Sequence, residues 1–410
     1  MFFAKSTTPI LTLLFLLFFT SSISLANSNK TLALYHDADW SHHFESSESI
    51  WRGIETALSE IDHEIQGYKI KIVKADHKGN VIRSRKNMAD LLNDPTALAL
   101  VSGLHSPPLI KYRKYINENK LLTLVPWAAG GPITRYPSSD NWVFRVSLDD
   151  TKVGKILVAY ALNEKKCLRP HLLLESTPWG DSNLSSITKA LKQSGHKVVR
   201  STRFDWNMKS YVAKDKISLI IEQGSDCIIL VSNTIEGAEI AKAVNELQGQ
   251  KKLTIISHWG ITGGDFHTRI NSALRKNLDL SFVQSCFSFL QEPLSKKAQT
   301  VFANAKNLFP DSIKYTSDIR SPVGFIHGYD ATLLLIEALK NTSLSDNMIA
   351  NRAAIKVALE NMQQPVKGLL KTYEKPFSVF SAENIDAHEA LNDSDYCMAE
   401  YTEDDNIVLI

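Results

Sequence analysis

Trp127, Trp179 and Trp259 each come shortly after an apolar run, Leu121 to Val125, His171 to Leu174 and Leu253 to Ile256. That placement sets three indoles just past the ends of three expected strands, facing one cleft if the strands run parallel. Aromatic faces so placed hold an apolar, planar or cationic solute; the other reading is an indole packed in its own loop. Ser106 stands before Pro107 in the pattern of a helix N-cap with a first-turn proline, so its hydroxyl either caps that helix or meets a ligand. The pair His42-His43 suggests a metal, but adjacent residues point in different directions and no third ligand with sensible spacing stands nearby, so no metal is expected. Asp37, Asp39, Glu45 and Glu48 can be arranged as paired carboxylates, and Ser176 follows a strand as a nucleophile would. No G-x-S-x-G, Walker or G-x-G-x-x-G sequence accompanies them, and the Gly263-Gly264-Asp265 turn is too short to cradle phosphates. No trio of nucleophile, base and orienting acid can be named, so neither an enzyme nor a cofactor is expected.

The elements that position these residues follow from the hydrophobic period. From Thr31 onward, apolar runs alternate with stretches of helical period, such as Glu48 to Ile61, where Ile50, Ile54, Leu58 and Ile61 share one face. Further strands are expected at Leu32 to Tyr35, Lys69 to Val73, Ala97 to Val101, Lys197 to Val199 and Cys227 to Val231. Strand and helix in alternation is the signature of parallel sheets covered by helices. The series pauses at Asn141 to Ser147, at Leu278 to Phe289 and near Val366 to Tyr373. Three crossings between two α/β lobes account for those pauses and leave a cleft at the carboxyl ends of the strands. The expected fold class is thus α/β, two doubly wound parallel-sheet lobes joined by three crossings, with residues 27–147 and 286–366 in one lobe and 148–285 and 367–410 in the other.

A chain of 410 residues with 44% hydrophobic and 22% charged side chains can bury a large core, which excludes a disordered chain. Its 46 basic and 44 acidic residues carry no long basic block, so nucleic acid is not expected as a partner. The first residues combine Lys5, an apolar run from Ile10 to Phe19 and the small residues of Ser24-Leu25-Ala26. This is the secretory signal pattern, with cleavage expected after Ala26; the run is shorter than a membrane span needs, so the mature chain is expected to be free of the membrane, outside the cytoplasm. Cys167, Cys227, Cys286 and Cys397 show no metal-site spacing and allow three pairings.

Several segments together resemble the type I periplasmic solute-binding proteins, in the branch of the leucine/isoleucine/valine and amide receptors of ABC importers. Trp51 to Ile61 looks like the first helix of that family, with Gly53 ahead of an apolar face; Val101-Ser102-Gly103-Leu104-His105-Ser106 resembles its strand, glycine and ligand-binding serine. Leu124 to Ala129 is similar to its proline loop, Trp142-Val143-Phe144-Arg145 to its first crossing, Pro178-Trp179-Gly180 to its Tyr-Gly and Gly328-Tyr329-Asp330-Ala331 to a recurrent helix start. The resemblance implies a receptor that closes two lobes over a small organic solute, amino-acid- or amide-like with an apolar or aromatic part, and serves an ABC permease in the periplasm. The same closed form suits a membrane sensor protein, and a secreted α/β hydrolase is the reading from another class.

It further implies ligand contacts at Ser106, His105, Trp127, Ala129, Trp179 and Trp259, with Trp40 and Asp330 in addition. Two departures stand out: Ala129 occupies the position of a ligand-binding threonine, and Ser257-His258-Trp259-Gly260 replaces a loop that carries an acid. Both remove partners for an ammonium group. In the doubly wound order the strands beginning near Cys167 and Cys227 are neighbours, so this pair is the candidate disulfide, with free thiols as the alternative.

Overall fold

The computed structural model describes residues 1–4 and 30–410 apart from 139, 248 and 250–252; the apolar run from Ile10 to Phe19 and the expected cleavage site lie outside the described residues. The chain runs β1 (Lys30–Ala38), α1 (Phe44–Ser59), β2 (Glu64–Ile65), β3 (Tyr68–Asp76), α2 (Val81–Asn93), β4 (Ala97–Ser102), α3 (Ser106–Glu118), β5 (Thr123–Val125) and β6 (Val143–Arg145). These strands form one sheet in the order β2-β3-β1-β4-β5-β6, parallel except for β2. The chain continues with α4 (Asp150–Ala159), β7 (Pro170–Glu175), α5 (Pro178–Gln193), β8 (Arg200–Phe204), α6 (Ser210–Glu222), β9 (Cys227–Val231), α7 (Thr234–Leu247) and β10 (Thr254–Ser257). Two single-turn helices, α8 (Phe266–Arg269) and α9 (Ser272–Arg275), lead to β11 (Leu280–Ser285). The chain then passes through α10 (Lys296–Leu308), α11 (Pro322–Lys340), α12 (Met348–Glu360) and the small ladder of β12 (Val366–Lys367) with β13 (Thr372–Tyr373). It ends in β14 (Tyr396–Tyr401) and β15 (Ile407–Leu409), which complete a second sheet ordered β15-β14-β11-β10-β9-β7-β8.

Burial explains why these segments take these forms. Every residue of β4, β7 and β9 is buried, as strands covered on both faces require. In α1, Ile50, Gly53, Ile54, Ala57 and Leu58 make one buried stripe. That stripe meets α11 at backbone distance: a Cβ on Gly53 would lie 2.2 Å from the Phe325 carbonyl oxygen, and one on Gly328 would lie 2.6 Å from that of Ile50. Helix α11 is buried nearly all round, which suits a helix held between α1 and the segments that join the lobes.

Three connections pass between the sheets: β6 to α4, β11 to α10, and α12 to β14. The first holds a buried ionic network. Arg145 reaches both oxygens of Glu389, at 2.7 and 2.6 Å, and Asp149 at 3.0 Å, while Arg135 reaches Asp149 at 2.5 Å and Asp386 at 2.6 Å. Burial alone would raise Asp149, but the two guanidinium groups hold it down to about 2. A Cys286–Cys397 disulfide, Cα atoms 5.0 Å apart, staples the start of the second connection to β14; Cys167 and Cys227 are also bonded, Cα atoms 6.0 Å apart.

Three expectations need correction. The strand expected at Lys197 to Val199 is formed by Arg200–Phe204 instead. Ser106 is the first residue of α3, and its N-cap position belongs to His105, whose side chain makes no capping bond. The segment Gly328 to Ala331 lies inside α11, which begins at Pro322.

Candidate functional site

Because β1 lies between β3 and β4 in parallel register, residues just past their carboxyl ends converge: Asp39 from β1, His77 from β3, His105 from β4. Gly103 permits the approach, since a Cβ there would lie 2.8 Å from that of Ala38. The rings of His43 and His105 are 4.8 Å apart, those of His77 and His105 are 5.5 Å apart, and Trp206, from the loop after β8 in the other lobe, lies 5.0 Å from His105. His42 and His43 each place Nδ1 3.2 Å from a different oxygen of Asp39. Burial, then the neighbouring His77 and His43, press His105 well below the usual imidazole range. Beside the His42-His43 pair, where no third metal-ligating residue is expected from the spacing along the chain, the fold brings His105 from another strand-helix unit.

The space between the lobes is occupied by aromatic rings. Trp127 from the β5 loop and Trp259 from the β10 loop are each 1% exposed and meet at 5.7 Å between centroids. Trp259 also lies 5.5 Å from His327 of α11, whose Nδ1 faces the Pro126 carbonyl at 3.0 Å and whose Nε2 faces the Ser285 hydroxyl at 3.1 Å. Burial pushes His327 down to about 4, so it stays neutral in this joint between lobes. Trp179, in the first turn of α5, donates its indole N–H to Asp150 at 3.3 Å. His258 meets the same carboxylate oxygen with Nε2 at 3.0 Å. The Trp259 amide donates to His258 Nδ1 at 2.9 Å, which assigns the ring proton to Nε2.

The remaining expected site residues are placed as follows. The Ser106 hydroxyl accepts from the Gly130 amide at 3.0 Å, and Pro107 and Pro108 leave the start of α3 short of N–H donors for an anion. Ala129 offers its carbonyl to the Asp150 amide at 2.9 Å. Trp40 stands edge-on to His36 at 5.1 Å, with the Lys74 ammonium 4.4 Å from its ring centre. Asp330 is buried and accepts from the Leu369 and Leu370 amides and the Tyr373 hydroxyl, tying α11 to the third connection. Sequence reasoning missed Trp206, Glu175, Asn233 and His327. Glu175, at the end of β7, accepts from Thr177 and Asn233, and its burial pushes it up to about 7. A small pocket of about 30 Å³ is lined from both lobes by Glu45, Thr262, His267, Arg320 and Tyr401 among others.

Two sheets whose loops meet face to face, joined by three connections, are what a two-lobed clamp requires, and residues 43–384 match the family model described as periplasmic binding protein. The chain belongs to that family. Solved structures share the fold of this periplasmic binding protein at low identity. A possible leucine/isoleucine/valine-binding protein from Rhodopirellula baltica aligns with a TM-score of 0.75 at 14% identity, covering 94% of this chain and 98% of that one. A leucine-binding protein from Thermotoga maritima gives 0.70 at 14%, covering 92% and 97%. An ABC-transporter solute-binding protein from R. palustris in complex with benzoate gives 0.72 at 18%, covering 93% and 95%. No curated protein matches the chain. These likenesses show that the chain has the fold of the leucine-type solute-binding proteins.

Proposed function

We propose that this periplasmic binding protein is a solute receptor that closes its lobes over a small organic ligand with an apolar or aromatic part, amino-acid- or amide-like, and delivers it to an ABC permease. The observation that carries the reading is the contact of Trp127 with Trp259 across the lobes, 5.7 Å between ring centres. Lobe closure there buries aromatic surface, and a solute with an apolar face entering between the lobes exploits the same surface. The departures at Ala129 and at the Ser257 to Gly260 loop, with the two prolines opening α3, argue against a bare aliphatic amino acid held by polar anchors. Structural neighbours described as leucine-binding or solved with benzoate support an amino-acid-like or aromatic solute.

Thermal-shift screening of aromatic carboxylates, amides and amino acids against the purified protein tests the proposal. A raised melting temperature, a change in tryptophan fluorescence and recovery of unchanged solute are expected. Conversion of the bound compound would refute the receptor reading in favour of an enzyme.

A further inference from the structure

We infer that Asp39, His43 and His105 form a binding site for one late first-row divalent metal ion, zinc being the reference case, on the lobe 1 side of the cleft beneath Trp206. The inference concerns the ion alone and stands whatever solute the protein carries.

The donor types come first. Two imidazoles and a carboxylate are a set that zinc and its neighbours accept, with bonds of about 2.0–2.2 Å. One ligand atom from each of the three residues lies within 4.8 Å of the other two. Tetrahedral bonds of that length separate ligand atoms by about 3.3 Å, so modest rotation of the two rings suffices to close the set around an ion.

Unsatisfied nitrogens are the second, independent observation. His43 is 7% exposed and His105 is 5% exposed. Nε2 of His43 and both ring nitrogens of His105 are buried without a hydrogen-bond partner among the described residues. Buried polar atoms are nearly always paired, and an imidazole with neither nitrogen engaged needs a reason. A metal ion supplies one for a nitrogen on each ring.

The scaffold also suits a site. Asp39 follows β1 directly, His43 precedes α1 and His105 precedes α3, so every ligand is carried at the end of a regular element. The carboxylate is already oriented: the His42 amide donates to Asp39 Oδ1 at 2.9 Å. On the lobe 2 side, Trp206 covers the cluster, 5.0 Å from the His105 ring and beside Gly79, which itself lies against Asp39. The side chain of His42, 56% exposed, meets the same Asp39 Oδ1 through its Nδ1 at 3.2 Å and is the natural control for adventitious surface binding.

Calorimetry of chelator-stripped protein with zinc chloride should show one ion bound per chain. His43→Gln and His105→Gln should each weaken it at least tenfold, and His42→Gln should leave it nearly unchanged. Cobalt(II) should give visible d–d absorption and quench tryptophan fluorescence; the absorption should vanish in His105→Gln, and most of the quenching should vanish in Trp206→Phe, which keeps all ligands. Melting curves of each variant identify one that fails to fold, and the other histidine variant then carries the comparison. Absence of stoichiometric uptake by the parent protein overturns the inference outright. Uptake unchanged by both histidine variants, or abolished by His42→Gln alone, overturns it equally.

Discussion

Replacing Trp259 by alanine separates a residue of the cleft from a residue of the core. Trp259 is 1% exposed, with its ring against Trp127 of lobe 1, against His327 of α11 and against His258 of its own loop. A buried tryptophan removes roughly 200 Å² from water, worth about 5 kcal/mol at about 25 cal/mol per Å². If about half of that surface is covered only when the lobes close, truncation removes about 2.5 kcal/mol from closure, close to a hundredfold in solute affinity, with the ring pairing adding up to about 1 kcal/mol. The open protein should lose little, since a side chain facing an open cleft leaves no sealed cavity when removed. The assay is a pair of measurements on one variant: melting without solute, and calorimetric affinity for a solute found by screening. An apo protein destabilised by about 3–5 kcal/mol that still binds normally once folded would show that Trp259 packs inside lobe 2, and the aromatic cleft would fall with it.

Leucine and valine should bind weakly, because Ala129 and the Ser257 to Gly260 loop lack the hydroxyl and the acid that would meet an ammonium group. Charge-assisted bonds of that kind are worth about 1.5–3 kcal/mol each, so submicromolar leucine binding by calorimetry would contradict the reading. Gly53→Ala should destabilise the fold by about 1–3 kcal/mol, although alanine favours a helix by about 1 kcal/mol, because the new Cβ meets the Phe325 carbonyl at 2.2 Å; an unchanged or raised melting temperature would be the contrary result. Glu175 is pushed up to about 7 from 4.5 by burial, with Glu236 adding to the rise and Arg203 opposing it. Its folded value exceeds its unfolded one, so the stability it contributes is fully present below pH 4.5 and is lost as pH rises through about 7. Glu175→Gln should flatten the fall in urea midpoint between about pH 5 and pH 8, and equal slopes for the two proteins would refute the assignment. The unreduced protein should show no free thiol by mass spectrometry, and removing the Cys167–Cys227 bond, which closes a 60-residue separation, should cost about 4 kcal/mol in urea unfolding.

The alternation of strand and helix was legible because nearly every central strand is a continuous apolar run, as in Ala97–Ser102 and Cys227–Val231. Edge strand β8 was not: it reads Arg-Ser-Thr-Arg-Phe, half-buried and polar, and the preceding Val198 and Val199 drew the expectation toward the wrong residues. The shift concealed Trp206, which follows a strand end as Trp127 and Trp259 do. A similar loss occurred at α11, where the Tyr-Asp-Ala segment suggested a helix start. The first-turn proline at Pro322 marks the true one, after Ser321 in a left-handed conformation at φ 49°. Asp330 consequently sits mid-helix with its carboxylate engaged by the third connection.

The histidine cluster shows what reading along the chain omits. Within the segment of adjacent His42 and His43 no third ligand stands at a helix or loop spacing. In a parallel sheet the relevant spacing runs across strand ends. Asp37 pairs with Ser102 across β1 and β4, and Ala38 pairs with Asp76 across β1 and β3. Residues one to three positions past those pairs must therefore share a small volume, whatever their separation in sequence. Asp39, His77 and His105 satisfy that rule, and His43 is folded back onto it because its Nδ1 and the His42 amide both engage the Asp39 carboxylate. The sheet order, β1 between β3 and β4, is the one fact needed to bring them together. Once that order is granted, two histidine rings meet a carboxylate in a place where their free nitrogens have no partner among the described residues, which is why the strand-end geometry, rather than the His-His pair, carries the case for an ion.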